Sequence, residues 1–254
     1  MLTRETFNVL CWIWIGLGIF IFPVLLKVTQ PYGKHTKNSW GPMISNRWGW
    51  FLMELPALLV FFFFLFTFSP DLKNKIVVVA AFLWGLHYVQ RAVIFPFRLK
   101  TKGKKMPVII VLSAILFNGV NGFINGYWLS KFVLDSDTVR FNNLHLLVGI
   151  VLFLLGFVIN QYHDQLLIKL RSGKKIGYEV PYGGLFKYVS CPNYFGEIIS
   201  WLGFFIVTLG LPAFAFLVWT LVNLIPRALD HHKWYKKEFQ NYPEDRKAVF
   251  PYLL

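Results

Sequence analysis

The sequence predicts an all-α membrane protein with seven transmembrane helices, an external N-terminus and a cytoplasmic C-terminus. Of the 254 residues, 56% are hydrophobic and 27 are phenylalanine, a composition well outside that of ordinary soluble domains. Seven windows contain the roughly 20 apolar residues that a helix needs to cross a hydrocarbon core about 30 Å thick. Lysine and arginine are concentrated in every second connection, as expected for a chain that crosses a membrane repeatedly.

The predicted spans follow one another along a single domain, residues 1–254, which has no internal repeat and no long polar segment. They cover residues 9–26, 48–68, 76–97, 107–130, 144–168, 194–210 and 211–228. Only Gly210, Leu211 and Pro212 interrupt the apolar run between the last two spans. A single helix over 194–228 would be about 50 Å long at 1.5 Å per residue. We therefore predict a turn between two spans at this glycine and proline.

The distribution of basic residues sets the predicted orientation. The connections after the first, third and fifth spans and the C-terminal tail share one side, and they carry twenty lysine and arginine residues. The opposite side carries five, and the remaining one, Arg91, lies inside the third span. The positive-inside rule places the richer side in the cytoplasm. We expect an integral multi-pass protein of a bacterial inner membrane or the endoplasmic reticulum, present as a monomer among membrane lipids.

The strong positive charge does not indicate nucleic acid as a partner. The formal charge of +14 is accounted for by the orientation signal and by contacts with anionic lipids. A nucleic-acid-binding protein would need a soluble basic face, and the sequence has none. Cys11 lies in the first span and Cys191 in a cytoplasmic connection, so we expect no disulfide. We also expect no metal.

The fourth span contains a repeat of amide and small residues. Asn118, Asn121 and Asn125 have helical spacing, and each is followed by glycine. Small residues at this period allow two helices to approach closely, and the amides can hydrogen-bond between helices. The same asparagines could instead line a cavity. Both interpretations stay open at the level of the sequence.

Polar groups inside apolar spans indicate a functional site, because burying them in a membrane costs free energy. Glu54 lies about 9 Å from the cytoplasmic start of its span, and Tyr88 and Arg91 lie about 14 and 9 Å from the same side. The three side chains can therefore meet at one depth. A simpler alternative is that Glu54 pairs with Arg91 only to hold two helices together.

Three further spans carry polar side chains with helical spacing at their cytoplasmic ends. These groups are Asn160 with Asp164, Asn193 with Glu197, and Arg227 with His231 and Tyr235. Arg171 and Arg246 are nearby cations suited to phosphate, and the connection over residues 169–192 is rich in glycine. Each pair alone would be an ordinary interfacial cap, and the connection alone a flexible linker. Together they predict a polar chamber that opens to the cytoplasm.

Such a chamber suits a large anionic cofactor, while the deeper Glu54, Tyr88 and Arg91 lie where a lipid-soluble substrate would arrive. This arrangement predicts a membrane enzyme with two substrates. The sequence has neither G-x-G-x-x-G after a strand nor G-x-x-x-x-G-K-[ST]. A nucleotide would therefore have to be bound without a Rossmann or P-loop unit.

Five segments carry motifs that can be compared with known families. They are PYGKHT (31–36), ELP (54–56), LHY (86–88), GGLFKYVSCPNYFGEIISW (183–201) and RALDHHKWYKKEFQNYPEDRKAVFPYLL (227–254). In these segments the chain resembles the steroid 5α-reductases, also called 3-oxo-5α-steroid 4-dehydrogenases. The resemblance extends in register over nearly the whole chain. The GGLF segment and the tail are specific to the wider family, whereas ELP and LHY count only in combination with them.

The resemblance implies a seven-span oxidoreductase that uses NADPH to saturate the 4,5 double bond of a 3-oxo-Δ4 steroid, with the cofactor on the cytoplasmic side. It implies that Glu54 and Tyr88 hydrogen-bond the 3-keto oxygen of a lipophilic, steroid-like enone. It also implies a set of residues at or around the NADPH site: Tyr32, Asn160, Asp164, Arg171, Tyr178, Asn193, Glu197, Arg227, His231, Tyr235 and Arg246.

Two positions depart from the family pattern. Met53 stands where the animal enzymes have glutamine before the glutamate, which bears on the expected steroid contacts. Glu179 follows Tyr178 where some members have a basic residue, which weakens the expected preference for NADPH over NADH.

The expected reaction transfers hydride from the nicotinamide C4 to the steroid C5, the carbon β to the carbonyl, and then a proton to the α carbon. Glu54 and Tyr88 would hold the carbonyl oxygen and stabilise the developing enolate. A charged carboxylate loses its hydration in an apolar span, so we expect Glu54 to be a neutral hydrogen-bond donor.

Three alternatives stay open at the level of the sequence. Another reductase of the same wider family would act on a polyprenol, an enoyl-thioester lipid or a sterol. A membrane methyltransferase using S-adenosylmethionine has a related fold, but its relatives carry Arg-His-Pro where this chain has Ser190, Cys191 and Pro192. A transporter would use the buried charges as a pathway, and the lack of inverted repeats argues against it.

Overall fold

The computed structural model describes residues 2–31, 33–36, 38–68, 71–101, 103–133, 143–172 and 178–254. Within these ranges the chain is a helical bundle with one short two-stranded antiparallel sheet. A π-helical turn, Val89–Ile94, joins α3 to α4, and the strands of the sheet are β1 (Met43–Ser45) and β2 (Lys105–Pro107). The helices are α1 (Arg4–Leu25), α2 (Asn46–Thr67), α3 (Lys75–Tyr88), α4 (Phe95–Arg98), α5 (Val108–Lys131), α6 (Asn143–Ser172), α7 (Pro192–Thr208) and α8 (Leu211–Glu238).

Six helical segments in the described part of the chain are long and apolar enough to cross a membrane. They match every predicted span except the sixth, which is the 17-residue helix α7. The predicted break before the last span is confirmed, because α7 ends at Thr208 and α8 begins at Leu211. Between them, Leu209 has a left-handed φ of 47°, and Pro212 lies in the first turn of α8. The chain is a predominantly helical integral membrane protein, and the count of seven spans stays a prediction.

The third apolar segment is irregular toward its end. The chain leaves α3 through the π-helical turn, which contains Gln90 and Arg91. A π-helical turn holds an extra residue and therefore rotates the side chains that follow it, and such turns are frequent at functional sites. The apolar pattern of the sequence predicts one regular helix here and gives no sign of this turn.

Glycines set the closest contacts between helices. A Cβ added at Gly196 of α7 would lie 2.5 Å from the backbone nitrogen of Asn160 and 2.6 Å from the backbone carbonyl oxygen of Gly156, both in α6. In the same way, a Cβ at Gly126 of α5 would meet the backbone of Phe61 in α2. Because no side chain separates these backbones, polar residues beside the contact, such as Asn160, are held at a fixed distance from the neighbouring helix.

Contacts between the connections support the predicted grouping on one side of the membrane. Strand β1, after α1, pairs antiparallel with strand β2, after α4. The C-terminal tail meets the connection after α6 through a parallel bridge between Val189 and Lys247. Lys104 Nζ donates to the Tyr178 hydroxyl at 2.8 Å and so joins the two groups. The four segments predicted to be cytoplasmic therefore lie together, and their assignment to the cytoplasm stays a prediction.

Aromatic side chains fill the centre of the bundle. Trp84 of α3 stacks on Phe61 of α2 with 4.6 Å between ring centroids, and its indole N–H donates to the Ala57 carbonyl at 2.9 Å. Trp201 of α7 packs edge-on against Trp84 at 5.4 Å. Tyr88 lies one helical turn after Trp84, so this rigid core directly supports the base of the candidate site.

Candidate active site

Arg91 lies between two carboxylates from different helices. Its Nε is 3.6 Å from Glu54 Oε1 of α2, and its Nη1 is 3.7 Å from Asp164 Oδ2 of α6. The side chains of Arg91 and Glu54 are only 12% and 13% exposed. Both distances are longer than a direct hydrogen bond, so Arg91 interacts with the two carboxylates by charge attraction and is not fixed to either one. The predicted meeting of Glu54 and Arg91 is thus present, and Asp164 joins them.

Aromatic rings surround this guanidinium. Arg91 Cζ lies 4.7 Å from the Trp50 ring centroid and 5.0 Å from that of Phe95. Rings at these distances attract a cation and exclude water from its faces. The π-helical turn brings Arg91 to this position, and Phe95 begins the short helix that follows the turn. The pairing of Arg91 with Glu54 and Asp164 therefore occurs in a poorly hydrated environment.

Asn118 contacts the Glu54 segment from α5. Its amide nitrogen donates to the Met53 carbonyl at 2.6 Å and lies 3.3 Å from Glu54 Oε2. Asn125 donates to a carbonyl of its own helix, and Asn121 does the same while it accepts from Trp14. Close packing against α2 explains Gly122 and Gly126 of the repeat, whereas among the described residues nothing lies within 4 Å of a Cβ added at Gly119. Of the three asparagines, Asn118 alone reaches the predicted site.

The departure at Met53 lies outside this polar cluster. The Met53 side chain is buried with Met106 of β2 and Val111 of α5. Only its backbone carbonyl, through Asn118, touches the group around Glu54.

Tyr88 is buried against aromatic rings at the end of α3. Its ring lies 4.9 Å from Trp84 and 5.9 Å from Trp201. The hydroxyl is within electrostatic range of Glu54, Arg91 and Glu197. Within the described ranges this hydroxyl has no hydrogen-bond partner. It is therefore a free donor and acceptor near Glu54.

The two asparagine–carboxylate pairs of α6 and α7 meet face to face. Asn160 donates to the Asn193 carbonyl at 2.9 Å and lies 3.4 Å from Glu197 Oε2. Asn193 in turn donates to Asp164 Oδ1 at 2.9 Å. Gly196 allows this approach, since a side chain there would meet the Asn160 backbone. The predicted convergence of these four residues is present in the structure.

The second oxygen of Asp164 has an incomplete set of partners. Asp164 Oδ2 is buried, and no hydrogen-bond donor reaches it in the described part of the chain. Its contact with Arg91 is 3.7 Å long. A buried carboxylate oxygen in this state is a ready acceptor for an N–H group of a ligand.

The stripe on α8 faces α7 and the connection after α1. The Tyr194 hydroxyl lies 3.2 Å from His231 Nε2, and Arg227 Cζ lies 5.3 Å from the Tyr194 ring. His35 stacks on His231 with 5.4 Å between centroids. A pocket between these elements is lined by Thr29, Gln30, His35, Arg227, Asp230 and His231. Sequence reasoning missed His35, although it lies within the PYGKHT motif; Tyr32 of that motif lies outside the described residues.

Arg246 is a buried cation with open hydrogen-bonding capacity. It is 2% exposed and lies between the rings of Tyr182 and Tyr242, at 4.9 and 5.2 Å. Its Nε and Nη1 have no hydrogen-bond partner among the residues that the structure describes. Tyr235, another predicted site residue, stacks on Tyr242 with 5.4 Å between centroids. Such a guanidinium is suited to binding a phosphate or carboxylate.

Two predicted cofactor residues lie at the margin. Arg171 is exposed at the end of α6, within electrostatic range of Asp164 and Tyr235. Tyr178 packs its ring against Trp234 and accepts a hydrogen bond from Lys104. The structure therefore places both residues beside the chamber and leaves them outside the contact network around Arg91.

Two glutamines and a histidine extend the site beyond the predicted residues. Gln90 donates to Gln161, and Gln161 donates to Asn160 Oδ1 at 2.9 Å, which links the π-helical turn to α6. His163 pairs through Nδ1 with the Ile159 carbonyl at 2.7 Å, and its Nε2 accepts the Leu185 N–H at 2.9 Å. His163 thereby anchors the GGLF segment to α6. In the sequence, only the position of His163 next to Asp164 points to such a role.

Comparisons with known proteins agree with the resemblance seen in the motifs. A family profile described as 3-oxo-5-alpha-steroid 4-dehydrogenase matches residues 104–254. Steroid 5-alpha-reductase DET2 of Gossypium hirsutum is 39% identical over 235 residues, which cover 90% of each chain. The 3-oxo-5-alpha-steroid 4-dehydrogenase 1 of Rattus norvegicus is 37% identical over 94% of this chain and 92% of its own. The protein of the same name from Bos taurus is 32% identical over 99% of this chain and 98% of its own. The chain therefore belongs to the 3-oxo-5-alpha-steroid 4-dehydrogenase family, a family of oxidoreductases.

Proposed function

We propose that this protein is an NADPH-dependent membrane reductase that saturates the 4,5 double bond of 3-oxo-Δ4 steroids. The observation that carries the proposal is the position of Arg91, which lies between Glu54 and Asp164. Glu54 is the group expected to hold the substrate carbonyl, and Asp164 belongs to the expected cofactor site. Their common partner makes the two half-sites neighbours, as transfer between two bound molecules requires.

The residues present fit a dinucleotide phosphate. The buried Arg246, with unpaired Nε and Nη1 among the described residues, offers N–H donors to a phosphate. Asp164 Oδ2 offers an acceptor to an amide N–H. Asn193 donates to the other oxygen of the same carboxylate, and Asn160 connects Asn193 with Glu197, so this group is already ordered. Arg246 would hold the phosphate, and the group around Asp164 would hold the nicotinamide amide.

When bound, the reduced nicotinamide supplies a hydride to the steroid C5. Glu54 and Tyr88 hold the 3-keto oxygen, toward which the double-bond electrons move as C5 gains the hydride. Donors placed at that oxygen bind it more strongly as its negative charge grows, which lowers the barrier. C4 then takes a proton of solvent origin, and the product is the saturated ketone. The aromatic wall of Trp84, Trp201 and Trp50 keeps water from this region.

The charge balance of the cluster supports a donor role for Glu54. Glu54, Asp164 and Glu197 all interact with the single cation of Arg91. Arg98 and Arg171 act on Asp164 as well, but from beyond ion-pair distance. Arg91 is thus the close cation for three buried carboxylates, and the cluster favours a proton on at least one of them. We propose that Glu54 carries this proton when substrate binds, since Asp164 already accepts from Asn193 at 2.9 Å and has these further cations nearby.

Purified protein with NADPH and progesterone tests the proposal. The expected result is a loss of absorbance at 340 nm that depends on both compounds and yields the 5α-dihydro steroid. The same assay with a polyprenol, an enoyl-thioester and a sterol with a ring double bond examines the other reductases of the wider family. Turnover confined to one of these lipids would overturn the steroid assignment, and oxidation of NADPH by none of the four would overturn the reductase assignment.

A further inference from the structure

Ser190 is the centre of a hydrogen-bond network that the proposed reaction does not use. Its hydroxyl lies 2.6 Å from His232 Nδ1, 2.7 Å from the Tyr242 hydroxyl and 3.1 Å from the Lys247 carbonyl. The residue is 3% exposed. The backbone on either side is also fixed, because the Ser190 N–H donates to the same Lys247 carbonyl at 2.8 Å. The connection before α7, helix α8 and the C-terminal tail therefore meet at one serine hydroxyl.

The number of hydrogens limits how these groups can bond. A serine hydroxyl has one hydrogen and two lone pairs, and a carbonyl can only accept. If Ser190 donates to the Lys247 carbonyl, both His232 Nδ1–H and the Tyr242 hydroxyl must donate to Ser190. A serine that donated to His232 or to Tyr242 would have no hydrogen left for that carbonyl, so the three contacts are all hydrogen bonds only in the first arrangement. In that arrangement the phenol hydrogen of Tyr242 points to Ser190.

Tyr242 connects this network to Arg246, whose Nε and Nη1 have no hydrogen-bond partner among the described residues. Its hydroxyl interacts with Arg246 as well as with Ser190, and its ring lies 5.2 Å from Arg246 Cζ. Burial raises the pKa of Tyr242, so the phenol keeps its hydrogen. With that hydrogen held by Ser190, the lone pairs of the phenol oxygen remain for Arg246. Arg246 itself is two residues from Ala248, whose carbonyl accepts the Cys191 N–H at 3.0 Å.

We propose that Ser190 is a positioning residue for Arg246 and thereby sets the preference for a 2′-phosphorylated dinucleotide. The inference rests on the proposed function, in which Arg246 binds the phosphate of NADPH. Ser190 fixes the orientation of the Tyr242 phenol, and Tyr242 fixes one edge of the guanidinium. The Nε and Nη1, which have no partner in the described part of the chain, then remain available to donate to the phosphate.

The test measures the dissociation constants of NADP+ and NAD+ by calorimetry on the purified full-length protein. Ser190→Ala is expected to weaken NADP+ binding about fivefold, the scale of one lost hydrogen bond, and to leave NAD+ binding nearly unchanged. Tyr242→Phe removes the phenol oxygen and keeps the ring, and it should reproduce this loss. The double variant should lose little more than either single variant, because both changes break one chain of contacts.

Ser200→Ala is the matched control. Ser200 is also a buried serine, and its hydroxyl lies 3.2 Å from the Phe153 carbonyl of α6 and 3.1 Å from the Gly196 carbonyl of α7. Neither partner belongs to the C-terminal tail that carries Arg246. This variant should change the ratio of the two dissociation constants by less than twofold. It measures what loss of a buried serine hydroxyl does to the fold alone.

Equal weakening of NADP+ and NAD+ in Ser190→Ala would overturn the inference, as would an unchanged ratio in Tyr242→Phe. If Ser190→Ala does not fold, Tyr242→Phe decides. Arg246→Ala separates this inference from the proposed function. A ratio that collapses in Arg246→Ala and persists in Ser190→Ala would leave the cofactor site standing and remove Ser190, whereas a ratio unchanged in Arg246→Ala would overturn both.

Discussion

Glu54 Oε1 lies 3.6 Å from Arg91 Nε, and the same guanidinium has a second carboxylate partner in Asp164. This sharing bears on whether Glu54 is present only to hold two helices together. Removing one member of an isolated buried ion pair leaves an uncompensated charge and is strongly destabilising. Arg91 would keep Asp164 as a charge partner after the loss of Glu54. We therefore expect the loss of Glu54 to destabilise the fold less than the breaking of an isolated buried ion pair would.

Glu54→Leu is therefore expected to fold and to bind NADP+ while it loses most of its reductase activity. A preorganised donor to a developing oxyanion is worth about 10²- to 10³-fold in rate. Glu54→Gln keeps an N–H donor and should retain more activity than Glu54→Leu. Steady-state turnover with progesterone, beside thermal unfolding of each variant, measures both effects. Near wild-type turnover in folded Glu54→Leu would contradict the catalytic role, and loss of folding in both variants would favour the ion pair as structural.

Tyr88→Phe removes a hydroxyl that has no partner within the described residues and keeps the ring that packs on Trp84 and Trp201. We expect its unfolding temperature to match that of the wild type, because no internal hydrogen bond is lost. The turnover number should fall at least tenfold, since the carbonyl oxygen loses one of two donors. A variant with unchanged turnover would exclude Tyr88 from carbonyl binding.

Arg246→Ala and Arg171→Ala should differ in effect, although both are expected at the cofactor site. Arg246 is buried with open N–H donors, whereas Arg171 is exposed, where water screens its charge. We expect Arg246→Ala to raise the KM for NADPH by about 10- to 100-fold and that for NADH much less. Arg171→Ala should raise the KM for NADPH only a few-fold. The reverse order, or equal changes for both cofactors, would remove Arg246 as the phosphate ligand.

Gly196→Ala tests the packing that places Asn160 against α7. The new methyl group would lie 2.5 Å from the backbone nitrogen of Asn160, so α6 and α7 must move apart. Overpacking of this kind costs about 1 to 3 kcal/mol, and we expect a lower unfolding temperature together with weaker NADP+ binding. Gly119→Ala is the control, because nothing lies within 4 Å of its added Cβ. It should leave the protein unchanged or more stable. Equal stability of the two variants would contradict the close contact.

The parts of the fold that sequence reasoning recovered are those fixed by local composition. Apolar length located the helices, and the Gly210 and Pro212 signal located the break before α8. Helical spacing placed Asn160 and Asp164 on one face of the fifth predicted span. In the structure both are hydrogen-bonded to Asn193 of α7. Each of these signals lies within a few residues along the chain.

The missed features depend on contacts between distant segments. The π-helical turn that contains Arg91 leaves no local signature, because its six residues, VQRAVI, could equally continue a regular helix. The role of Asp164 as the second partner of Arg91 requires the relative rotation of two helices 73 positions apart in sequence, from 91 to 164. The network around Ser190 joins the connection before α7, α8 and the tail, and no local pattern links those segments.

The most direct test of the account is the fate of the nicotinamide hydrogen. Purified protein would be given progesterone and NADPH dideuterated at the nicotinamide C4, and the position of deuterium in the steroid product would be read by NMR and mass spectrometry. The account predicts one deuterium at C5 and a hydrogen from solvent at C4. Product that contains no deuterium, or deuterium at C4 instead of C5, would contradict it.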